Sequence, residues 1–225
     1  MRAGFSFERG EGAYVYASDG ARYLDFGAGV AVSSLGHCHP HLVAELTGQA
    51  QRIWHTSNLY RIPGQEKLAR RLVDHTFADT VFFANSGAEA IECAIKMARR
   101  FHWQNDRPDR FRIITFEGAF HGRTLLAMTL TSRPHPYKLG MGPLAPEVYR
   151  APFPQDYRGP DAETALAELR QLFLTQVAAE QVAAIIVEPV QGEAGFLPAP
   201  PQFMAGLRAI CDEYGICLIA DEVQT

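Results

Sequence analysis

No stretch of the sequence approaches 18 consecutive apolar residues, and the opening MRAGFSFERGEG holds no apolar core. Neither a membrane-spanning helix nor an export signal is therefore expected. Cysteine is scarce: Cys38, Cys93, Cys211 and Cys217 form no C-x-x-C pair and show no zinc-ligand spacing. Free thiols in a reducing cytoplasm follow, rather than a disulfide framework. An excess of charge is missing too, since the net charge is -4 and the charges are scattered. No basic face calls for nucleic acid, and no polybasic stretch calls for a membrane surface. Against these absences stand 225 residues, 47% of them hydrophobic and 20% charged. That is the composition of a globular chain with a sizeable core and about one to two domains.

The first 36 residues read differently from the rest. YVYASDGARYLDF alternates into two short strands around Asp19-Gly20, a pair suited to the positive φ angles of a hairpin turn. From Pro40 the pattern turns helical, with apolar residues three and four apart in HLVAELTGQAQRI and GQEKLARRLVDHTF. Short apolar runs then alternate with helices. A strand is expected at VFFA (81–84), a helix at 88–101, strands at 111–117 and 147–151, and a helix at 162–178. A strand ending at Glu188, a helix at 201–214 and a final strand at 216–220 complete the series. Strands separated by helices of this length specify an α/β fold with a mostly parallel sheet and right-handed crossovers. The proline-rich segment 131–146 is expected to be irregular.

Candidate chemistry gathers where these strands end, the edge at which open α/β sheets bind ligands. Asp221 follows the last strand and could partner a protonated pyridine nitrogen. Asn85-Ser86-Gly87-Ala88-Glu89 opens a helix, where free amides and the helix dipole suit a phosphate. The same residues also suit an ordinary N-cap, with Ser86 and Glu89 forming a capping box. Gly118-Ala119-Phe120-His121-Gly122-Arg123-Thr124 offers a ring for stacking and a guanidinium for a carboxylate, or simply a glycine-rich turn. Glu188 and Glu193 put two carboxylates on one strand-end loop, for acid–base work or merely solvated. His37-Cys38-His39 lacks further ligands at a recognisable spacing, so no metal is expected. The remaining histidines, His55 and His75 among them, read as surface or partly buried. Ser86 is not a hydrolase nucleophile, because N-S-G-A is not the G-x-S-x-G elbow.

The blocks RGEGAYVY, DGARYLDF, GHCHP, WHTSNLY, FFANSGAEAIECAIKMAR, FEGAFHGRT, VEPVQGEAGF and ADEVQT follow one another nearly end to end. In that order they resemble the class III aminotransferases, and most closely the acetylornithine subgroup. The resemblance implies the aspartate-aminotransferase fold (PLP fold type I), with a three-layer large domain incomplete at its carboxyl end. Residues 1–39 would be the amino-terminal segment of the small domain, and 40–225 part of the large, cofactor-binding domain. The implied cofactor is pyridoxal 5′-phosphate. Gly87 and Ala88 would give amides to its phosphate, with Ser86 supporting the turn. Phe120 and Val223 would cover the two faces of its ring, Asp221 would accept from the ring nitrogen, and Gln224 would bond the phenolic oxygen. His121 and Glu188 would stand close by. Arg123 would grip the substrate's α-carboxylate, and Glu193 would pair with a downstream arginine that the chain does not contain.

The lysines are Lys67, Lys96 and Lys138, all before Asp221. In the family the lysine that holds the cofactor as a Schiff base follows that aspartate, so it is expected beyond Thr225. No catalytic lysine is assigned within the chain, which is expected to be an inactive amino-terminal fragment. Its parent would move the δ-amino group of N2-acetylornithine to 2-oxoglutarate, giving glutamate, a step of arginine biosynthesis. HTSNLY and FHGRT carry the likeness to the acetylornithine subgroup. Succinylornithine, ornithine, another ω-amino acid or an N-protected lysine precursor remain open as donors. Arg123 weighs against a 4-aminobutyrate enzyme. Family members are dimers, so a homodimer is expected of the full-length protein. A non-catalytic module that binds phosphate or the cofactor, or serves assembly, is the alternative of a different class.

Overall fold

The computed structural model describes residues 4–155 and 157–225. The chain divides into two compact units, one ending at Phe82 and the other running Phe83–Thr225.

The first unit holds an antiparallel sheet of β1 (Phe7–Glu11), β2 (Tyr14–Ala17) and β3 (Arg22–Leu24), paired in that order. The β2–β3 turn forms where Asp19-Gly20 predicts it. Gly20 takes φ 84, and the Asp19 carboxylate accepts the Ala21 amide at 2.9 Å. A short irregular helical turn, α1 (Ala28–Ala31), follows, with Gly29 and Val30 in left-handed conformations. Asp25 anchors this turn by accepting the amides of Gly27 and Ala28. Its other oxygen lies 2.7 Å from His37 Nε2. His37 of the H-C-H triplet is thus bound to a carboxylate twelve residues earlier. Helices α2 (Pro40–Ala50) and α3 (Pro63–His75) each start with a proline, whose missing N–H would be unpaired there in any residue.

The second unit is a three-layer α/β structure. Its four-stranded sheet runs β5 (Val148–Ala151), β4 (Arg112–Phe116), β6 (Val182–Val187), β9 (Cys217–Ala220), with every neighbouring pair parallel. All six residues of β6, VAAIIV, are buried, as an unbroken apolar run in a central parallel strand demands. The sheet's residues are divided between a layer on each face. Ile113, Ala184 and Ile186 pack with Ile91 and Ile95 of α4 (Gly87–Gln104) and with Ala127 and Leu130 of α5 (Leu125–Leu130). Ile114, Phe116, Ile185 and Val187 pack with Leu169 of α6 (Ala162–Thr175) and with Phe203 and Leu207 of α7 (Pro201–Tyr214). Asp161 caps α6 by accepting the Thr164 amide at 2.8 Å, and Gly215 ends α7 at φ 66. A small hairpin, β7 (Val190–Gln191) with β8 (Leu197–Pro198), stands after β6.

Three expectations need correction. VFFA (81–84) forms no strand: the segment pairs with no other strand among the described residues, and a ladder needs a partner as well as an apolar pattern. The helix expected to reach Ala178 stops at Thr175, after which Ala179–Gln181 form a 3₁₀ turn leading into β6. His102 is fully buried, its Nε2 donating to Ala183 O at 2.9 Å. An imidazole with a backbone acceptor can lie in the core without an unpaired N–H at that nitrogen. Among the described residues no helix is long and apolar enough to cross a membrane.

Candidate active site

The carboxyl ends of the second unit's strands open onto a cavity of about 550 Å³, a size that suits a cofactor. Asp221 and Glu188 stand side by side there, because Val187 and Ala220, the residues before them, are register partners. Asp221 is buried, with its Oδ2 2.7 Å from Nδ1 of buried His121. Its Oδ1 accepts the Val223 amide at 3.2 Å, and its own amide donates to Val187 O at 2.8 Å. Nε2 of His121 is buried without a protein partner among the described residues.

Glu188 accepts the Phe120 amide at 3.0 Å. Burial pushes its pKa up to about 7, the charges of Asp221 and Glu193 push the same way, and the amides of Phe120 and Gly192 oppose them. Two neighbouring carboxylates thus differ in environment, one fixed against an imidazole and the other proton-bearing near neutrality.

At another wall α4 begins. Ser86 accepts the Glu89 amide at 3.2 Å, while Glu89 reaches back to the amide of Asn85 at 2.7 Å. The Gly87 and Ala88 amides belong to the first helical turn, where no intrahelical acceptor exists. Close packing surrounds them. A Cβ on Gly87 would come within 2.9 Å of Val223 Cγ2, and one on Gly122, at φ 126, within 2.8 Å of Ala88 Cβ. Only glycine leaves that room and tolerates that conformation.

Gly87, Ala88, Phe120, His121, Arg123, Glu188, Asp221, Val223 and Gln224 all line the cavity. Ser86 and Glu193 do not. Ser86 acts as the helix cap, and Glu193 accepts from the Tyr137 hydroxyl at 3.0 Å and lies 3.5 Å from Arg133 Nη1. Tyr137 in turn packs its ring on that of Phe120, with centroids 5.1 Å apart. Gly122 and Thr124 also line the cavity, although sequence reasoning gave them no role. Their signal was available, since both flank Arg123 within the F-H-G-R-T block. Tyr137 and Arg133, inside the irregular proline-rich segment, offered none.

The donor set fits a flat, phosphorylated, pyridine-like group. It combines helix-start amides without an intrahelical acceptor, an aromatic ring and a valine in the lining, and a buried carboxylate positioned by an imidazole.

Residues 2–225 match the family described as aminotransferase class-III. The acetylornithine aminotransferase of Agrobacterium fabrum is 50% identical over 224 residues, covering 100% of this chain and 52% of that protein. That of Mesorhizobium japonicum is 52% identical over 223 residues, covering 99% and 52%. An acetylornithine/succinyldiaminopimelate aminotransferase of Yersinia pestis is 41% identical, covering 96% and 50%. The chain thus spans about half the length of the curated relatives it matches.

Among solved structures, an amine transaminase from an uncultivated Pseudomonas species in its PLP-bound form superposes with TM-score 0.90. It shares 31% identity, over 99% of this chain and 52% of that one. An (S)-enantioselective ω-transaminase from Thermomicrobium roseum gives TM-score 0.89 and 32% identity, over 96% and 50%. The fold is that of the PLP-dependent transaminases, fold type I, and the cofactor of these enzymes is pyridoxal 5′-phosphate. From its sequence blocks through its sheet to its strand-end cavity, the chain belongs to the class-III aminotransferases.

Proposed function

We propose that this chain carries the cofactor seat of an enzyme that moves the δ-amino group of N2-acetylornithine to 2-oxoglutarate, giving glutamate. The observation that carries the reading is the buried Asp221–His121 pair, 2.7 Å apart, in a cavity that the start of α4 also lines. When bound, pyridoxal phosphate supplies an electron sink that labilises the proton on the carbon bearing the amino group. The residues supply the setting.

Asp221 would accept a hydrogen bond from the protonated ring nitrogen and keep the ring cationic, and His121 keeps its carboxylate oriented. Gly87 and Ala88 direct their amides at the phosphate, with Ser86 holding the turn. Phe120 and Val223 bound the ring, Gln224 meets the phenolic oxygen, and Glu188 holds Phe120 through its backbone. Arg123 takes the substrate's α-carboxylate. Glu193 is released from Tyr137 and Arg133 to meet an arginine outside this chain. The covalent lysine is assigned to the part of the relatives' length that this chain does not span.

The same reading takes residues 1–39 as small-domain sequence and 40–225 as part of the large domain, in a cytoplasmic homodimer. Free Cys38, Cys93, Cys211 and Cys217 support a reducing compartment. The relative that acts on succinyldiaminopimelate as well as acetylornithine supports a second, longer acylated donor for the same site.

Steady-state kinetics of Arg123→Ala in the full-length protein test the assignment. For acetylornithine kcat/KM falls about a hundredfold, the loss expected when one partner of a charge pair is truncated. An ω-amine without an α-carboxylate loses far less. Equal losses for both donors would remove Arg123 from the substrate's carboxylate.

A further inference from the structure

We propose that Arg150 is a positioning residue that fixes both ends of the loop Glu117–Thr131, and so sets where Phe120, His121 and Arg123 stand. The proposal rests on the reading of that loop as one wall of a pyridoxal-phosphate site.

Arg150 lies on β5 in register with Thr115 of β4, one residue before the loop's point of departure. Its Nη1 donates to Phe116 O at 3.0 Å and to Leu130 O at 2.9 Å. Its Nη2 donates to Thr129 O at 3.1 Å and to Thr131 O at 3.4 Å. Phe116 ends β4, whereas Thr129, Leu130 and Thr131 close α5. One planar group therefore joins the point where the chain leaves the sheet to the point where the excursion ends. All four acceptors are backbone carbonyls, so the grip depends on main-chain path and not on the identity of the residues gripped. The carbonyls at the end of α5 carry partial negative charge, which a cation complements.

The clamp reaches the cavity through few bonds. Thr131, held by Arg150, accepts the His121 amide on its hydroxyl at 3.0 Å, and that hydroxyl faces Gly122 O at 3.1 Å. The next residue, Ser132, donates its amide to Ala119 O at 2.6 Å. Residues 119, 121 and 122 are thus tied to the frame that Arg150 closes, while Glu188 takes the Phe120 amide from the other side. Arg150 itself does not line the cavity among the described residues. Its geometry requires a fork of parallel donors, which a lysine ammonium does not provide.

Hydrogen exchange in the full-length protein tests this, comparing peptides covering 117–124 with peptides covering β6. In Arg150→Met the loop exchanges tenfold faster or more while β6 keeps its wild-type rate. Arg150→Lys does not restore protection, whereas guanidinium ion at non-denaturing concentration restores it to Arg150→Ala. Absorbance titration with pyridoxal phosphate follows the same order, weakened about tenfold in Arg150→Met and rescued by guanidinium in Arg150→Ala. Unchanged loop exchange, or equal acceleration in β6, overturns the clamp. Loop exchange that rises and is rescued while cofactor affinity stays at the wild-type value leaves the clamp standing and overturns the loop's role as a cofactor wall.

Discussion

Glu188 and Asp221 follow register-paired residues on adjacent strands, yet their partners set them to different tasks. Asp221 faces an imidazole nitrogen and an amide, whereas Glu188 is buried with another carboxylate beside it and a pKa pushed up to about 7. The unfolded chain releases the Glu188 proton near the ordinary glutamate value of 4.5. Below that pH the group is neutral in both states and contributes nothing adverse. As pH rises from 4.5 to about 7 the unfolded state ionises first, so the fold loses stability across that window and the loss is complete above it. Glu188→Gln keeps an acceptor for the Phe120 amide and removes the titration. Its stability relative to wild type should therefore grow through that window, reaching about 3 kcal/mol at pH 8. Urea unfolding at several pH values checks this, and a constant difference would sink the assignment. Residues at this scale were legible in the sequence where a strand end named them, as with Asp221, Phe120 and Arg123. Tyr137 on Glu193 and Arg150 on Phe116 were not, because their partners lie 56 and 34 residues away and only the fold brings them together.

Elements were legible where local pattern and tertiary need agree. β6 is apolar throughout because both faces are covered, and α7 stops where Gly215 supplies a left-handed residue. VFFA carried a strand's composition, but composition does not supply a neighbour to pair with. The two-residue strands β7 and β8 were beyond reach, since no periodicity exists over two residues. Strand starts also hold a contact that no pattern announces. Buried Arg110, just before β4, donates to the carbonyls of Ala179 and Glu180 ahead of β6 and of Tyr214 and Gly215 ahead of β9. One guanidinium thus joins the entrances of three strands, at the edge opposite the cavity. Arg110→Met fills similar volume and leaves those acceptors without their donor. A loss of about 2–4 kcal/mol in urea unfolding is expected, with Arg110→Lys recovering only part of it. A midpoint unchanged from wild type would show that the four carbonyls find other donors at little cost.

Across the whole molecule the two units differ in how much they bury. Both core clusters consist of residues from the second unit, whereas α2 and α3 of the first contain no buried residue. The second unit therefore holds the strand-end cavity together with the core packed around it. A covalent anchor is a separate requirement, and the lysines bear on it unequally. Lys67 belongs to α3 in the first unit, and Lys96 is an exposed residue of α4. Burial lowers the pKa of Lys138, and the charge of nearby Arg150 lowers it further. A lowered pKa without position does not make an anchor, and Lys138 is absent from the residues lining the cavity. Borohydride reduction of this chain after addition of pyridoxal phosphate should consequently give slow, substoichiometric labelling, unaffected by Asp221→Asn. Peptide mapping decides the matter. A stoichiometric adduct on Lys138 that disappears in Asp221→Asn would mean that the proline-rich segment brings its amine into the seat, and that the chain carries its own anchor.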